Sequence, residues 1–454
     1  MRSLPDIPDD PAIPALKELF PPSGVPSFVV QMAQEVAGTK LNPDAAEVSY
    51  VRYRPTRNCV VLWLFPTASG QPLLISALAD DRIENLLARP SFQRSAEMVT
   101  AALGGNVHAH RHLNDRRLLL QVFPLDIRLP GLAVAGSATW ASRYFRRSLS
   151  LNGDEVQIAE LMPVHYKPWL RCLIRYTIQV HGRPVQYFGK VFRDDRGKPM
   201  VERLQALQRQ LAACRAPWDI VTPVMYVAEA RMLLLPGLED SVEFSVLLKE
   251  ALDDLQARQT LREQIARMAE GLLNFQRMAV EGLRHAGPQD VLKKHEEELE
   301  GLVQVAPALA ESIRVRLRRL ETLADRLPAE KVVLCHGAFR YNQFLRRGDK
   351  LTALDLDAMR LSGAGADAGE FLAYSDLTVL RRRSLQPIIP ECQEVFLESV
   401  LKDERMDPRW VGWHRAAVHL KWIQRTFFSL NRRWPEIADG LLRAADTMLG
   451  NLNS

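Results

Sequence analysis

The stretch "VLCHGAFRYNQFLRRGDKLTALDLDAM", residues 333 to 359, decides how the fold of this sequence is interpreted. A short apolar run is followed by a polar segment that begins at His336, and a second apolar run ends in Asp355 and Asp357. The pattern predicts a strand, a polar loop and a second strand that ends in two carboxylates. The polar side chains would thus lie in a loop and at a strand end, where binding and catalytic residues are commonly found.

Length and composition predict a folded protein of more than one unit. The chain has 454 residues, which is more than one compact core usually holds, and its hydrophobic fraction of 47% and charged fraction of 25% are ordinary globular values. The net charge of +5 comes from interspersed Lys and Arg, so it permits anionic ligands without indicating nucleic acid or membrane. The arginine-rich stretches lack aromatic interleaving, and we therefore expect no nucleic-acid partner.

The amino terminus predicts a cytoplasmic protein. Residues 1 to 20 have acids and prolines where a signal peptide needs a basic start and an apolar run, and no later stretch approaches ~20 uninterrupted apolar residues. We therefore expect no membrane partner. The five cysteines contain no CxxC pair, which argues against a disulfide framework and against a zinc site, and favours buried thiols: Cys59, Cys172, Cys214, Cys335 and Cys392.

The sequence contains an internal repeat. Three pairs of segments share residues in the same order: "YRPTRNC" (53–59) with "YKPWLRC" (166–172), "LADDR" (78–82) with "FRDDR" (192–196), and "RRLLLQVFPLD" (116–126) with "ARMLLLPGLED" (230–240). The offsets between the paired segments are nearly constant, at 113, 114 and 114 residues. Three ordered pairs at one spacing favour a duplicated unit over coincidence.

Each copy predicts a small sheet with one helix, because strand-like runs precede and follow a helical stretch. The segment from Pro124 to about Asn152 lacks clear periodicity and holds prolines and glycines, so the boundary between the copies is placed there. An offset of 114 residues places Ser76 of the first copy opposite Lys190 of the second, so the first copy lacks this lysine.

From Asp240 onward the pattern changes to long amphipathic helices, which only the strands of the opening stretch interrupt. A sheet unit followed by a mostly helical unit predicts an α+β fold with two lobes. A loop with His, Asn and Asp between such lobes suits phosphoryl transfer, which needs a cation on the phosphates, oxygen ligands for magnesium and usually an acid beside the attacking hydroxyl.

From about residue 155 to 450 the sequence resembles the aminoglycoside phosphotransferases and choline kinase-like phosphotransferases, which share the bilobal protein-kinase fold. "CHGAFRYNQFL" is similar to the His-Gly-Asp loop of the family, "LTALDLD" to its Ile-Asp-Phe-Asp metal strand and "ADAGEFLAY" to its Asp-Leu-Gly helix start. Asp355 and Asp367 are twelve residues apart, as in the family pattern. The resemblance implies ATP and Mg²⁺ as cofactors and a small-molecule acceptor.

The resemblance also divides the chain into three parts. Residues 1–150 would be a degenerate domain that resembles a kinase amino-terminal lobe, without an active site of its own. Residues 151–236 would be the kinase-like amino-terminal lobe and residues 237–454 the helical carboxy-terminal lobe. The first domain would pack on the kinase unit or bind a protein partner.

The resemblance implies a metal site at the second strand. Asp355 would be the magnesium-binding carboxylate, and Gln343, in a position more often held by Asn, would be a second ligand through its amide oxygen. Asn342 is an alternative source of that amide. Asp357 would be an outer carboxylate or an exposed surface acid. A strand-end carboxylate that caps a turn is the structural alternative for Asp355.

The histidine loop has implied structural roles. Asp367 would accept backbone hydrogen bonds from the loop around His336, cap the following helix, or do both. In this resemblance the histidine orders the loop and does no acid-base work. Cys335 is expected in the core, because adjacent residues of a strand point to opposite faces and do not form a nucleophile-base pair.

The resemblance implies that residues of the second copy contact the nucleotide. Lys190 looks like the lysine that clasps the nucleotide phosphates, although a strand lysine is ordinarily just exposed to solvent. Glu202, on the following helix, is the nearest candidate for its ion-pair partner, and a solvated helix face is the alternative. The "YKPWLRC" turn would cover the phosphates, with Lys167 and Arg171 as contacts.

Ala338 occupies the position, two residues after the histidine, where the family loop has an aspartate that orients or deprotonates the substrate hydroxyl. A methyl group accepts no proton, and the loss of such a group typically costs about two to four orders of magnitude in rate. An acid from elsewhere, such as Asp357 or a residue of the first domain, or an acid of the substrate, would be needed to replace it.

The retained residues and Ala338 together leave two possible functions. The first is an ATP-dependent phosphotransferase for alcohol-group acceptors with weakened catalysis, which the retained lysine and metal ligands support. The second is a catalytically dead pseudokinase that binds nucleotide and regulates or scaffolds a partner, which Ala338 supports. The acceptor is not identified, because helices of the carboxy-terminal lobe build its pocket. Four tryptophans either line that pocket or, as their helical spacing favours, pack in the core: Trp410, Trp413, Trp422 and Trp434.

Overall fold

The computed structural model describes residues 7–22, 24–68, 70–105, 107–148 and 156–452. It is a mixed α+β structure, as the sequence predicts, and it forms two compact units. The ranges of the first unit are Met1–Val201, Pro223–Leu238 and Phe428–Arg432, and those of the second are Glu202–Thr222, Glu239–Phe427 and Arg433–Ser454. The three-part division stays a prediction, and its boundary at residues 150 and 151 lies outside the described residues.

The described ranges contain sixteen β-strands. They are β1 (Glu47–Arg54), β2 (Asn58–Phe65), β3 (Leu73–Asp80), β4 (His110–Leu113), β5 (Leu118–Val122), β6 (Val156–Lys167), β7 (Arg171–Val180), β8 (Arg183–Phe192), β9 (Trp218–Ile220), β10 (Met225–Val227), β11 (Met232–Pro236), β12 (Val242–Glu243), β13 (Val332–Cys335), β14 (Phe344–Arg347), β15 (Lys350–Ala353) and β16 (Arg360–Gly363).

Fourteen α-helices complete the secondary structure of the described chain, and none of them is long and apolar enough to cross a membrane. They are α1 (Ser27–Ala37), α2 (Ile83–Leu87), α3 (Pro90–Ala102), α4 (Leu132–Ala135), α5 (Ala138–Ser148), α6 (Met200–Ala213), α7 (Phe244–Glu250), α8 (Leu255–Phe275), α9 (Pro288–Val305), α10 (Pro307–Arg326), α11 (Ala366–Arg381), α12 (Ile389–Val400), α13 (Pro408–Phe428) and α14 (Trp434–Asn451).

The first unit holds two five-stranded antiparallel sheets with the same strand order, β1-β2-β3-β5-β4 and β6-β7-β8-β11-β10. In both sheets a short 3₁₀ helix joins the last two strands. Each 3₁₀ helix ends at an arginine with positive φ, 51° at Arg117 and 44° at Arg231. The shared order and the shared turn show that the repeat in the sequence is a duplicated fold.

A buried aspartate ahead of each sheet holds its first hairpin. In each copy a tyrosine hydroxyl and a turn N–H donate to one carboxylate oxygen at 2.7 to 2.9 Å: Tyr53 and Thr56 to Asp10, and Tyr166 and Trp169 to Asp126. Asp126 lies near the start of the segment, Pro124 to about Asn152, in which the sequence places the boundary between the copies. The sequence comparison missed this part because the two aspartates are 116 residues apart, outside the common spacing.

The strand register corrects one pairing that the sequence predicted. Lys190 lies between Leu173 and Leu233 on the strands beside it. The residue with the equivalent neighbours in the first sheet is the buried Leu78, not Ser76. The shared Asp-Asp-Arg sequence begins two residues after Leu78 but four after Lys190, so one constant offset misaligns these strands. The first copy still has no lysine at this position.

One face of each sheet contributes to a common core in the first unit. On β7 the buried residues alternate with partly exposed ones, which is the pattern of a half-buried strand. Ile174 and Tyr176 from this strand pack in one cluster with Leu62 and Leu74 of the first sheet. Burial of such side chains stabilises the fold by about 1.5–3 kcal/mol each, so the two sheets support one another.

The second unit combines helices with two small sheets, β12-β14-β15-β9 and β13-β16. Helix α8 packs against α12, and α9 packs against α10. The indole of Trp218 lies so close to α8 that a Cβ on Gly271 would be 1.9 Å from its nitrogen, so only glycine fits there. Beside this tryptophan, Phe339 of the histidine loop packs on Phe344 and Phe371. The loop is therefore anchored in the aromatic core of the unit.

Candidate active site

The histidine loop connects two strands that belong to different small sheets. β13 pairs with β16 and ends at Cys335, and the loop then runs through a 3₁₀ helix, Tyr341–Gln343, into β14. β14 forms a hairpin with β15, which delivers the chain to Asp355. Cys335 is fully buried, burial raises the pKa of its thiol, and it donates to the carbonyl of Gly363 at 3.5 Å. It is a core residue without nucleophilic character.

The buried Asp367 fixes the start of the loop. Its two carboxylate oxygens accept hydrogen bonds from the backbone N–H groups of His336, at 2.6 Å, and Gly337, at 2.9 Å. Burial raises the pKa of this carboxyl, and electrostatic interactions with the nearby His336 and Arg360 oppose that rise. The N-cap of α11 is Gly365, so Asp367 lies in the first turn of the helix and is not its cap. The hydrogen bonds expected from the sequence are present.

His336 ties the loop to the end of β15. Its ring is fully buried and its Nε2–H donates to the carbonyl of Leu354 at 2.9 Å, while its Nδ1 has no hydrogen-bond partner in the part of the chain that the structure describes. Burial lowers the pKa of the imidazole. A neutral, enclosed ring of this kind holds two backbone segments together and is not placed to exchange protons with solvent.

Gly337 is required by the path of the loop. Its φ is +80°, and a Cβ at this position would lie 2.2 Å from the carbonyl oxygen of Ala358. Both the backbone conformation and the close approach therefore exclude a larger residue. The following residue, Ala338, consequently has a fixed position beside the chain that carries Asp357.

The two predicted oxygen ligands lie on adjoining strand ends. The carbonyl of Gln343 accepts the N–H of Leu354 at 2.8 Å, and Asp355 is the next residue. Asp355 has a left-handed backbone conformation, with φ 60° and ψ 46°, which is uncommon outside glycine and costs of order 1–3 kcal/mol. Within the described residues its side chain makes no capping hydrogen bond to the 3₁₀ helix that follows.

The other polar residues of the loop are less enclosed. Asn342 is exposed, whereas Gln343 and Asp357 are half-buried. In the ranges that the structure describes, no three His, Cys, Asp or Glu side chains form a cluster that could hold a metal ion. The candidate ligands are therefore a carboxylate and an amide, a set that holds Mg²⁺ together with water and phosphate oxygens.

Two arginines flank the position of the missing acid. Nε of Arg340 donates to the carbonyl of Ala338 at 3.3 Å, and Arg360 donates to the carbonyl of Gly337 at 3.2 Å. Neither guanidinium accepts a proton in the pH range of proteins. The alanine thus lies in a positively charged environment, and these arginines cannot replace a general base.

The predicted nucleotide residues fall in different units. Lys190 lies on β8 of the first unit, is 9% exposed and has its ammonium 5.7 Å from the centre of the Phe192 ring. Glu202 is exposed on α6 and belongs to the second unit. Lys167 and Arg171 flank the first hairpin turn of their sheet and are half-buried. The pairing of Lys190 with Glu202 and the phosphate contacts stay predictions.

Three of the four tryptophans are buried, and one of these three differs from the others. The indole N–H groups of Trp410 and Trp413 donate to backbone carbonyls at 2.8 Å, which is typical of core residues. Trp434 is half-buried and packs edge-on against Phe427. Trp422 is only 8% exposed, yet within the described chain its indole N–H has no hydrogen-bond partner.

A cluster of four cations around Trp422, here called the cationic cluster, was not foreseen from the sequence. Their charged groups lie 5.2 to 5.8 Å from the ring centre: Arg340 of the loop, Arg381 of α11, and Lys421 and Arg425 of α13. The pair on α13 is spaced i,i+4 and shares a helix face. The rest of the cluster comes from segments far apart in sequence, and no pattern indicates which helices meet.

One carboxylate is enclosed by the cationic cluster. Lys421 donates a hydrogen bond to Glu370, and Arg340 lies 3.9 Å from the same carboxylate. Burial lowers the pKa of Lys421 to about 7, although Glu370 opposes this. Burial raises the pKa of Glu370, but the charges of Lys421 and Arg340 outweigh it and hold that pKa below its usual value.

Comparisons with known proteins find similar solved structures. No family model matches the chain, and no curated protein matches it. A choline/ethanolamine kinase family protein from Mesorhizobium loti is 11% identical over 69% of this chain and 95% of its own, with a TM-score of 0.46. A glucosamine kinase in crystal form A is 14% identical over 92% of this chain and 95% of its own, with a TM-score of 0.48.

A third similar structure is a thermostable mutant of the aminoglycoside phosphotransferase APH(4)-Ia in ternary complex with ADP and hygromycin B. It is 11% identical over 68% of this chain and 97% of its own, with a TM-score of 0.47. At these identities and scores, assigning a function depends on the residues of the chain itself. The structure is a mixed α+β fold that is similar to structures of the kinase-like phosphotransferases its motifs resemble.

Proposed function

We propose that the protein is an ATP-dependent phosphotransferase that acts on an alcohol group of a small molecule, with catalysis weakened at Ala338. One observation carries the proposal, namely the double anchoring of the loop. Asp367 binds the N–H groups of His336 and Gly337, and His336 binds the carbonyl of Leu354 beside Asp355. These bonds fix Ala338 and Asp355 with respect to each other, and such positioning is the larger part of what a phosphoryl-transfer enzyme contributes.

The residues fit a magnesium nucleotide. Asp355 and Gln343 would hold Mg²⁺ through oxygen atoms, and Lys190 would bind the phosphates as a point charge. Bound Mg²⁺ supplies neutralisation of the charge on the transferred phosphoryl group. Mg²⁺ usually keeps several waters and binds through one or two protein carboxylates or amides together with substrate phosphates, so a site without a cluster of three acids is sufficient.

Ala338 sets the expected rate. Positioning and charge neutralisation remain when the loop aspartate is absent, whereas orientation and deprotonation of the hydroxyl are lost. We expect turnover about two to four orders of magnitude below that of a comparable enzyme with the acid.

A second candidate function is a pseudokinase, and Ala338 is the observation that favours it. In this case the anchored loop maintains a nucleotide-binding conformation without turnover, and a protein partner would bind through residues 1–150. The two candidates differ in one property, which is whether ADP is released under conditions in which ATP binds.

ADP release distinguishes the candidates, because water can serve as a poor acceptor when the true one is unknown. Slow, Mg²⁺-dependent release that is lost in Asp355→Ala, and retained in the control Asp349→Ala, is the expected result. Asp349 suits as a control because it is an exposed aspartate in the turn of the same hairpin. If ATP binds, no ADP is released and no alcohol changes this result, the phosphotransferase is rejected in favour of the pseudokinase.

A further inference from the structure

The cationic cluster has an unusual charge balance. Four cations lie around one indole ring, and the carboxylate of Glu370 contacts two of them, Lys421 and Arg340. With Lys421 protonated, four positively charged groups are gathered around this ring. Lys294 on α9 adds to this field, and Arg425 and Arg284 lower its pKa after the larger effect of burial, while Glu298 opposes them. Like charges gathered in one place repel, so the site favours an anion.

Arg381 is the clearest sign of a missing partner. Its guanidinium contacts the Trp422 ring at 5.6 Å, and among the described residues it forms no ion pair or side-chain hydrogen bond. Burial lowers its pKa, and the nearby Arg340 and Arg382 lower it further. An arginine held against other arginines without a carboxylate is stabilised when a ligand supplies the negative charge.

Trp422 gives an independent indication of a ligand. Its indole N–H is buried at the centre of the cluster and lacks an acceptor within the described part of the chain. Indole N–H groups that are buried usually find a partner. An oxygen of a bound anion would accept this hydrogen bond, and its charge would strengthen it.

The cluster adjoins the reacting position. Arg340 belongs both to the cluster and to the histidine loop, and its Nε donates to the carbonyl of Ala338 at 3.3 Å. A ligand held by Arg340 is therefore next to the position at which the proposed function requires the acceptor hydroxyl.

We propose that the acceptor of this protein is a small molecule that carries an anionic group, phosphate or carboxylate, and that the cationic cluster binds this group. The inference rests on the proposed function, since it names the acceptor class of the same site. It also implies discrimination, because an acceptor with an ammonium group would be repelled by the cluster.

The test is a calorimetric titration with four probes that share a sugar ring: glucose 6-phosphate, glucuronate, glucose and glucosamine. We expect the two anionic probes to bind at least about tenfold more tightly than glucose at about 0.15 M salt, and glucosamine to bind most weakly. Comparison of the two anions distinguishes phosphate from carboxylate as the preferred group. Equal affinity for all four probes, or preference for glucosamine, would overturn the inference.

Arg381→Ala tests the assignment of the site. Part of this residue remains accessible to solvent, so the variant should fold, and loss of one charge-assisted contact should weaken binding of the anionic probes about tenfold. Arg381→Glu should weaken it further. Arg318→Ala removes an exposed arginine of α10 that does not contact the cluster, and it should bind as the unmodified protein does. Unchanged affinity in both Arg381 variants would place the anion elsewhere and contradict the inference.

The titration is made without nucleotide and is then repeated with ATP and Mg²⁺, so that two failures are distinguishable. Binding of ATP without binding of the anionic probes would reject the anionic acceptor and leave the phosphotransferase in place. Binding of the probes that depends on Arg381, without any binding of ATP, would reject the phosphotransferase and support the cluster as an anion site.

Discussion

The two halves of the histidine loop differ: one has the hydrogen bonds that anchor the loop, and the other lacks an acid at the reacting position. The anchoring half contains His336, Gly337 and Asp367, which are joined by hydrogen bonds, and the side chains of His336 and Asp367 are buried. The reacting half has a methyl group at Ala338 and guanidinium groups beside it. Conformational support of the loop and its proton chemistry are therefore separable in this protein. An anchored loop thus indicates positioning of ligands, whereas the identity of one residue sets the rate.

Ala338→Asp would place a carboxylate in the reacting half of the loop, and it has the largest expected effect, an increase in the rate of ADP release. The carboxylate would lie where a hydroxyl can donate to it, and Arg340 nearby would favour its charged form. ADP release in the presence of an acceptor should rise by about two to four orders of magnitude. The measurement is a steady-state assay, and Ala338→Asn serves as a control of similar size that accepts no proton. No gain for the aspartate over the asparagine would mean that the loop is not a reacting centre.

Asp367→Ala removes the carboxylate that anchors the histidine loop. The backbone N–H groups of His336 and Gly337 would lose their acceptor in a buried place, so we expect the free energy of unfolding to fall by about 3 kcal/mol. Denaturant unfolding and amide hydrogen exchange at these two residues measure this. The control Asp254→Ala removes one hydrogen bond at the exposed N-cap of α8. It should lower the free energy of unfolding by about 1 kcal/mol. Equal costs in the two variants would show that the anchor is no stronger than a surface cap.

The affinity of the cationic cluster for an anion should depend on pH, and this effect should be smaller than those of the two substitutions above. Burial lowers the pKa of Lys421 to about 7, so its ammonium is mostly charged at pH 6 and mostly neutral at pH 8. Glu370 faces it from α11, Arg340 from the loop and Arg425 from its own helix. Affinity for glucuronate, whose charge is constant over this interval, should fall severalfold, and at most about tenfold, as pH rises from 6 to 8.

The control for this dependence is Lys421→Met, which removes the titrating group. Its affinity should be low and nearly constant between pH 6 and 8. The buried His295 interacts electrostatically with Lys421, but it does not titrate in this interval because burial lowers its pKa to about 4. A fall in affinity that persists in Lys421→Met would assign the pH dependence to another group.

The sequence predicted the α+β class and the repeat from short shared segments, because hairpin turns and capping aspartates constrain residue types locally. The role of Asp367 at the histidine loop was implied by the family resemblance, which the twelve-residue spacing from Asp355 supported. The strand alignment at Ser76 was wrong because two additional residues follow Lys190, and only hydrogen-bond register reveals such a shift.

The cationic cluster was not predictable for a different reason. Arg340, Arg381 and the α13 residues meet through the packing of helices that are tens of residues apart, and each alone has the appearance of a surface charge. Local periodicity predicts which face of a helix is apolar but not which helix covers it. The indole N–H of Trp422 has no partner among the described residues, and this too becomes visible only when neighbouring side chains have positions.

The most direct test of the central claim is calorimetric titration of ATP with and without Mg²⁺. It is repeated on Asp355→Ala and Lys190→Ala, with Asp349→Ala and Lys40→Ala as exposed controls of the same residue types. The account predicts Mg²⁺-dependent binding that is lost in the first two variants and retained in the controls. Absence of ATP binding at any Mg²⁺ concentration would contradict it.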